Sequence, residues 1–206
     1  MITIIDYGVG NLFSLSSSLS YLGLENKVSR DPEDLRKADH IILPGVGAYG
    51  DAIAKLRGSG MAEPLLDEAK AGKPIMGICL GMQLLFDKSY EYGEHQGLGL
   101  IPGVMADLKE DIPANLKVPH MGWNRVYPED TPHARLLFRG IEAGDWFYFV
   151  HSYAMPTGAC TAARCTYGEE FTAAAAHENF MGVQFHPERS GRAGARLIAN
   201  FLGIEA

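Results

Sequence analysis

The sequence predicts an α/β fold: a central, mixed but mostly parallel sheet flanked by helices, with antiparallel strands in its second half. Three observations predict it. Short apolar runs alternate with helical patterns from Ile2 to Phe86, which is the spacing of βαβ units. From Gly99 onward, strand-like runs separated by turn residues replace that alternation, which favours antiparallel pairs. Finally, 24 glycines and 11 prolines punctuate a chain of ordinary 47% hydrophobic content, as many tight turns require.

Each element has a local reason. Ile2 to Ile5 is an apolar run of buried-strand type. Asn11 is placed to cap the helix that runs to Gly23, where Leu12, Leu15, Leu19 and Leu22 recur at helical spacing. Lys27 to Ser29 reads as a second strand, and Asp31-Pro32 opens a short helix with proline at its first position. His40 to Leu43 is an apolar strand stopped by Pro44. Ala52 to Leu56 and Pro64 to Ala71 read as helices, Pro74 to Ile78 as a strand, and Leu80 to Phe86 as the helix after it. The later strands are Gly99 to Leu108, Lys117 to Tyr127, Trp146 to Tyr153, Cys160 to Tyr167, Phe171 to His177 and Met181 to Phe185. Arg192 to Leu202 closes the chain as a helix. No linker parts these elements, so one domain over residues 1–206 is expected.

Charge and composition exclude several functions. A net charge of −7 disfavours nucleic-acid binding, which needs a basic surface. Residues 7–24 carry no charge, but six of them are Ser or Asn, so this stretch is not a membrane span. Three cysteines do not make a secreted disulfide framework, and Met1 to Asp6 shows no basic n-region of a signal peptide. The expectation is a soluble, cytoplasmic protein. Cys160 and Cys165 lack nearby partners for a four-ligand zinc site, so neither a metal nor another cofactor is expected.

Two motifs carry chemistry. Gly77-Ile78-Cys79-Leu80-Gly81 follows an apolar strand and precedes a helix, the context of a nucleophile elbow with Cys in place of Ser. The glycines allow the strained turn, and the helix N-terminus favours the reactive thiolate. A buried inert cysteine is the plain alternative. Downstream, Gly182-Val183-Gln184-Phe185-His186-Pro187-Glu188 delivers a histidine at a strand end with a carboxylate two residues later. A nucleophilic thiol needs a base, and the base needs an orienting acceptor. His186 and Glu188 supply both.

Cys79, His186 and Glu188, in this order, resemble the triad of the class I glutamine amidotransferases. Five further segments narrow the resemblance: Asp6 to Leu12, Pro44 to Ala48, Cys79 to Gln83, Pro119 to Asn124 and Tyr148 to Tyr153. Together they are similar to the glutaminase subunits of imidazole glycerol phosphate synthase, and the similarity runs from Asp6 to Ser190. The resemblance implies a class I glutamine amidotransferase-like fold and hydrolysis of L-glutamine to glutamate and ammonia. It also implies a heterodimer with a (βα)₈-barrel cyclase subunit. That partner would use the ammonia to make imidazole glycerol phosphate and AICAR in histidine biosynthesis, from phosphoribulosyl-formimino-AICAR-phosphate.

The resemblance further implies residue roles. Gly47, Gln83, Ser152 and Tyr153 would hold glutamine. Backbone N–H groups of Leu80 and of Gly45, Val46 and Gly47 would meet the oxyanion. Asn11, Trp123, Tyr148 and Arg189 would face the partner. In this family Lys usually follows the His-Pro-Glu; here it is Arg189. Arginine keeps the charge but has a different donor geometry. His120 and His151 lie inside the family segments, which leaves a role near the partner or the substrate open, and neither is assigned one.

Other readings stay open at this level. Gly45-Val46-Gly47-Ala48-Tyr49-Gly50 spells a dinucleotide-binding fingerprint, but the acids about twenty residues on, Asp67 and Glu68, fall in a helical pattern rather than at a strand end. A glutaminase serving another synthase, such as the one making pyridoxal phosphate, shares the triad. A redox-sensing domain with a reactive cysteine and a cysteine peptidase are readings from other classes.

Overall fold

The structure, a computed structural model, describes residues 1–204 apart from the side chain of Asp111. The first half folds as alternating strands and helices. Its elements are β1 (Ile2–Ile5), α1 (Leu12–Tyr21), β2 (Asn26–Ser29), α2 (Pro32–Lys37), β3 (His40–Leu43), α3 (Tyr49–Gly58), α4 (Ala62–Lys70), β4 (Ile75–Ile78) and α5 (Leu80–Leu85). A small-sheet region follows, with β5 (Phe86–Ser89), β6 (His95–Gln96), β7 (Ile101–Asp107) and α6 (Leu108–Asp111). The second half holds β8 (His120–Pro128), α7 (Pro132–Leu137), β9 (Asp145–His151), β10 (Tyr153–Ala154), β11 (Thr161–Tyr167), β12 (Glu169–His177) and β13 (Phe180–Val183). A 3-10 turn (Pro187–Arg189) leads into α8 (Gly191–Phe201).

The main sheet has nine strands in the order β2-β1-β3-β4-β13-β12-β11-β8-β9. Pairs from β2 through β1, β3 and β4 to β13 are parallel, and pairs from β13 onward to β9 are antiparallel. The sheet is mixed, as expected, but the antiparallel share is larger than the sequence suggested, equal to the parallel one. A second sheet, β10-β7-β5-β6, stands beside it.

Buried side chains alternate across the parallel strands, as the two-residue period of a strand requires. Ile4, Ile42, Met76 and Ile78 pack on one face with Leu15 and Leu19 of α1 and Leu197 and Ile198 of α8. Ile5, Ile41, Leu43 and Ile75 pack on the other with Leu35, Ile53, Leu56 and Leu65 of α2, α3 and α4. Strands covered on both faces must read as continuous apolar runs, which is why these segments stood out in the sequence.

Several boundaries differ from the sequence reading. Phe86 is not the end of a helix; α5 stops at Leu85 and Phe86 opens β5, paired with Ile101. The run from Trp146 to Tyr153 is not one strand. It breaks at Ser152, leaving β9 in the main sheet and β10 in the small one. The segment from Lys117 becomes a strand only at His120. Asn11 occupies the N-cap position of α1, but its side chain makes no capping hydrogen bond. At α2, by contrast, Asp31 accepts from the Glu33 N–H at 3.0 Å, with Pro32 at the first position as expected.

Candidate active site

The site lies outside the carboxyl ends of the adjacent parallel strands β3, β4 and β13, where open α/β sheets form their crevice. Cys79 follows β4 at φ +54°, a left-handed conformation that side chains other than glycine rarely adopt. The flanking glycines explain how this turn fits. A Cβ at Gly81 would lie 1.9 Å from the Leu43 carbonyl oxygen, and one at Gly77 would lie 2.6 Å from the Met82 backbone. The elbow is therefore wedged against β3 and its own helix, and its strain is held by packing.

Parallel pairing of β4 with β13 sets the partners beside the thiol. The Cys79 N–H donates to the Val183 carbonyl at 2.8 Å, which places the segment from Gln184 to His186 alongside. His186 Nδ1 and Glu188 Oε1 are 2.8 Å apart, and both side chains are almost fully buried. The histidine is anchored from behind. Its N–H donates to the Tyr148 carbonyl at 2.8 Å, and its own carbonyl accepts from Ser190 Oγ at 2.6 Å. Its other ring nitrogen, Nε2, has no hydrogen-bond partner, nor has Glu188 Oε2. Burial pushes the His186 pKa down, but the Cys79 sulfur and the Glu188 carboxylate together outweigh it and hold the pKa up at about 10.

These groups open on a cavity of about 310 Å³. Cys79 and His186 line it, together with all four residues expected to hold glutamine: Gly47, Gln83, Ser152 and Tyr153. Val46 and Leu80 line it as well. Leu80 begins α5, so its N–H lies among the first-turn groups that have no acceptor inside the helix. Gly45 does not line this cavity. A Cβ there would come within 2.5 Å of the Gly81 N, so the strand end after β3 packs directly on the elbow. Gly47 sits at φ +97° in open space. Gly50, the last glycine of the apparent fingerprint, is explained by packing: a Cβ would meet the His95 ring at 2.6 Å.

The sequence reading missed two polar residues of the site. Gln184, deep in the core, accepts a hydrogen bond from Gln83 Nε2 at 2.9 Å and directs its own Nε2 to Cys79 Sγ at 3.8 Å. Glu91 lines the cavity and accepts from the Tyr49 N–H at 2.5 Å. Burial raises its pKa, and the Tyr49 N–H opposes the rise. Gln184 sat inside the strand-to-histidine segment and offered a signal; Glu91 sits in a polar loop without pattern.

Of the residues expected at the partner face, three meet. Trp123 and Tyr148 are opposite each other in β8 and β9, with ring centroids 6.0 Å apart and edge to face. The Arg189 guanidinium stacks on Tyr148, 4.2 Å from its ring centroid. Planar stacking is a geometry arginine makes and lysine lacks. Asn11 is apart from them, exposed beside a small crevice that reaches His186 and Glu188. Tyr7 is buried under the site, donating to the Pro44 carbonyl at 2.8 Å. Among the described residues, no group of three His, Cys, Asp or Glu is placed to hold a metal ion.

Comparison with known proteins agrees with this geometry. The profile of "Glutamine amidotransferase class-I" matches residues 3–204. "Imidazole glycerol phosphate synthase subunit HisH" of Sulfurimonas denitrificans is 47% identical over 204 residues, covering 98% of this chain and 97% of that one. The protein of the same name from Escherichia coli K12 is 50% identical over 206 residues, covering 98% of each. Among solved structures, "PurLQS from Thermotoga maritima" superposes with a TM-score of 0.73 at 22% identity, over 98% of this chain and 97% of that one. A "glutamine amidotransferase" crystal structure gives 0.74 at 19% identity, over 98% of each, and both show a shared fold. The chain belongs to the class I glutamine amidotransferases and, among them, to the family of imidazole glycerol phosphate synthase HisH subunits.

Proposed function

We infer that this chain is the glutaminase subunit of an imidazole glycerol phosphate synthase and works in histidine biosynthesis. The observation that carries its chemistry is a buried His186–Glu188 pair next to a strained cysteine at the wall of one cavity. The Cys79 thiolate attacks the side-chain amide carbon of glutamine, and His186 gives its proton to the leaving nitrogen. Ammonia departs and a glutamyl thioester remains. Water, activated by His186, adds to the thioester and releases glutamate and the thiol. Glu188 fixes the imidazole tautomer through Nδ1.

The remaining groups are assigned by what each can donate or accept. N–H groups of Leu80 and of the segment Gly45, Val46 and Gly47 take the oxyanion; one such donor is worth about 3–4 kcal/mol in related hydrolyses. Gln83 commits its Nε2 to two protein acceptors, so its Oε1 is left for the substrate ammonium group, with the Glu91 carboxyl close by. Backbone groups of Gly47, Ser152 and Tyr153 complete the glutamine site. The whole chain acts as one domain.

The acceptor of the ammonia is a (βα)₈-barrel cyclase, and the Trp123, Tyr148 and Arg189 cluster is its docking face, with Asn11 at the margin. Free Cys79, Cys160 and Cys165 fit a reducing compartment, which supports a cytoplasmic heterodimer. Neither another synthase nor a redox sensor or peptidase has an observation in its favour. The direct test uses a glutamine analogue with a diazoketone at the amide position. It should form one covalent adduct, located by mass spectrometry on the Cys79 peptide and prevented by excess glutamine. Labelling of Cys160 or Cys165 instead, or no labelling, would contradict the assignment.

A further inference from the structure

His120 and His151 are buried, lie directly opposite each other in β8 and β9, and take no part in the chemistry above. Their hydrogen bonds form a chain whose direction is fixed at both ends. Asn124 Nδ2 donates to the Thr166 carbonyl at 2.9 Å, and its Oδ1 accepts from the Arg125 N–H at 2.8 Å, so the amide has one orientation. Its nitrogen also lies 3.3 Å from His120 Nε2, which must therefore accept. The His120 proton is then on Nδ1, 2.9 Å from His151 Nε2. That places the His151 proton on Nδ1, which donates to the Tyr153 carbonyl at 2.9 Å. A carbonyl can only accept, so no link can be reversed without breaking the next.

The chain ends on a functional atom. The Tyr153 carbonyl also accepts from Gln83 Nε2 at 3.0 Å, and it lies just past Ser152, where the chain leaves the main sheet for the small one. We propose that Asn124, His120 and His151 form a one-directional relay that positions the Ser152–Tyr153 backbone and the Gln83 amide for binding glutamine. The proposal rests on the glutaminase reading and adds three positioning residues to it. Burial pushes the His120 pKa down to about 4 and the His151 pKa to about 3, so both rings stay neutral and the relay keeps its direction at neutral pH. In β8, Gly122 takes φ +138° between His120 and Asn124, the two residues whose side chains meet.

The relay makes a prediction that packing alone does not. His120 is stacked on Phe149 and on Tyr167, with centroids 4.9 and 4.1 Å away. His120→Phe keeps that stack and loses the donor. His120→Asn loses the stack but keeps an N–H at the δ position. In the full chain with its cyclase partner, His120→Phe should raise the KM for glutamine about tenfold with kcat within about threefold, while His120→Asn stays near the parent KM. The reverse order, or unchanged KM in both, overturns the proposal. Ring-nitrogen NMR of the full chain gives a second reading independent of activity: both histidines should carry the proton on Nδ1 and stay neutral from pH 5.5 upward. Protons on Nε2, or titration near neutrality, would also overturn it. If His120→Phe does not fold, Asn124→Ala serves, with a smaller rise in KM and a mixed His120 tautomer expected. If the parent protein turns over no glutamine, the glutaminase reading fails, while the tautomers still decide the relay.

Discussion

At Cys79 one residue carries both the strain of the turn and the proposed nucleophile. A left-handed φ costs a non-glycine residue roughly 1–2 kcal/mol, and the surrounding contacts hold it there because the turn aims the sulfur into the cavity. His186 shows the same logic in electrostatics. Burial alone would leave it neutral; the thiol and Glu188 keep it protonated well above neutral pH. In the proposed mechanism the imidazolium is the acid that expels ammonia, and that form is lost as pH rises through the raised pKa. Glu188→Gln removes one of the two groups that raise it. The basic limb of the glutamine-turnover profile should therefore move to lower pH, by about one unit or more. A loss of rate with no shift of that limb would mean that Glu188 does not act through the His186 proton. Residues of this kind were legible in the sequence, because the elbow and the His-Pro-Glu turn are local patterns. Glu91 was not, since only tertiary folding brings its loop to the cavity.

The elements hold the site at distances their register dictates. Gly81 touches the Leu43 carbonyl because α5 starts directly over the end of β3. Gly81→Ala should cost about 3 kcal/mol, the upper end of overpacking, because backbone rather than a flexible side chain is in the way. Thermal denaturation should then begin about 10 °C lower; an unchanged midpoint would show that the elbow is looser than described. The antiparallel pair β8–β9 carries the proposed docking face, where the Arg189 guanidinium lies over the Tyr148 ring. Arg189→Glu removes the stack and reverses the charge. The dissociation constant of the heterodimer should rise about tenfold or more, with the fold intact by circular dichroism. Normal affinity would move the interface elsewhere.

Element legibility followed physical cause. β1, β3 and β4 were readable because burial on both faces forces continuous apolar runs. β5 was missed because it follows α5 with no breaker between Leu85 and Phe86. α7 had a readable start, with Thr131 capping the Ala134 N–H and Pro132 at the first position, yet six residues gave too little periodicity to stand out. The break at Ser152 left no mark, because residues on both sides of it are equally strand-like.

Across the molecule, two sheets meet where the main one is left by β9 and the small one is entered by β10, and the buried His120–His151 pair sits at that junction. Their pKa values are lowered in the fold, to about 4 and about 3, chiefly by burial. The unfolded chain binds those protons more readily, near pH 6.5. Stability from keeping both rings neutral is thus fully present above about pH 6.5 and is lost as pH falls toward the folded values. The thermal midpoint should fall as pH drops below about 6.5, less steeply in His120→Phe, while the raised His186 pKa lowers it in the other direction, as pH climbs above about 6.5, equally in both proteins. A profile independent of that substitution would assign the acid sensitivity to other groups.

We propose a division of labour in which this chain makes ammonia at Cys79 and a partner consumes it. The measurement that tests it most directly is product formation by the reconstituted heterodimer carrying Cys79→Ser, supplied with either glutamine or an ammonium salt. Glutamine-supported synthesis should vanish while ammonium-supported synthesis stays at the parental rate. Loss of both, or glutamine-supported synthesis that survives the substitution, would contradict the account.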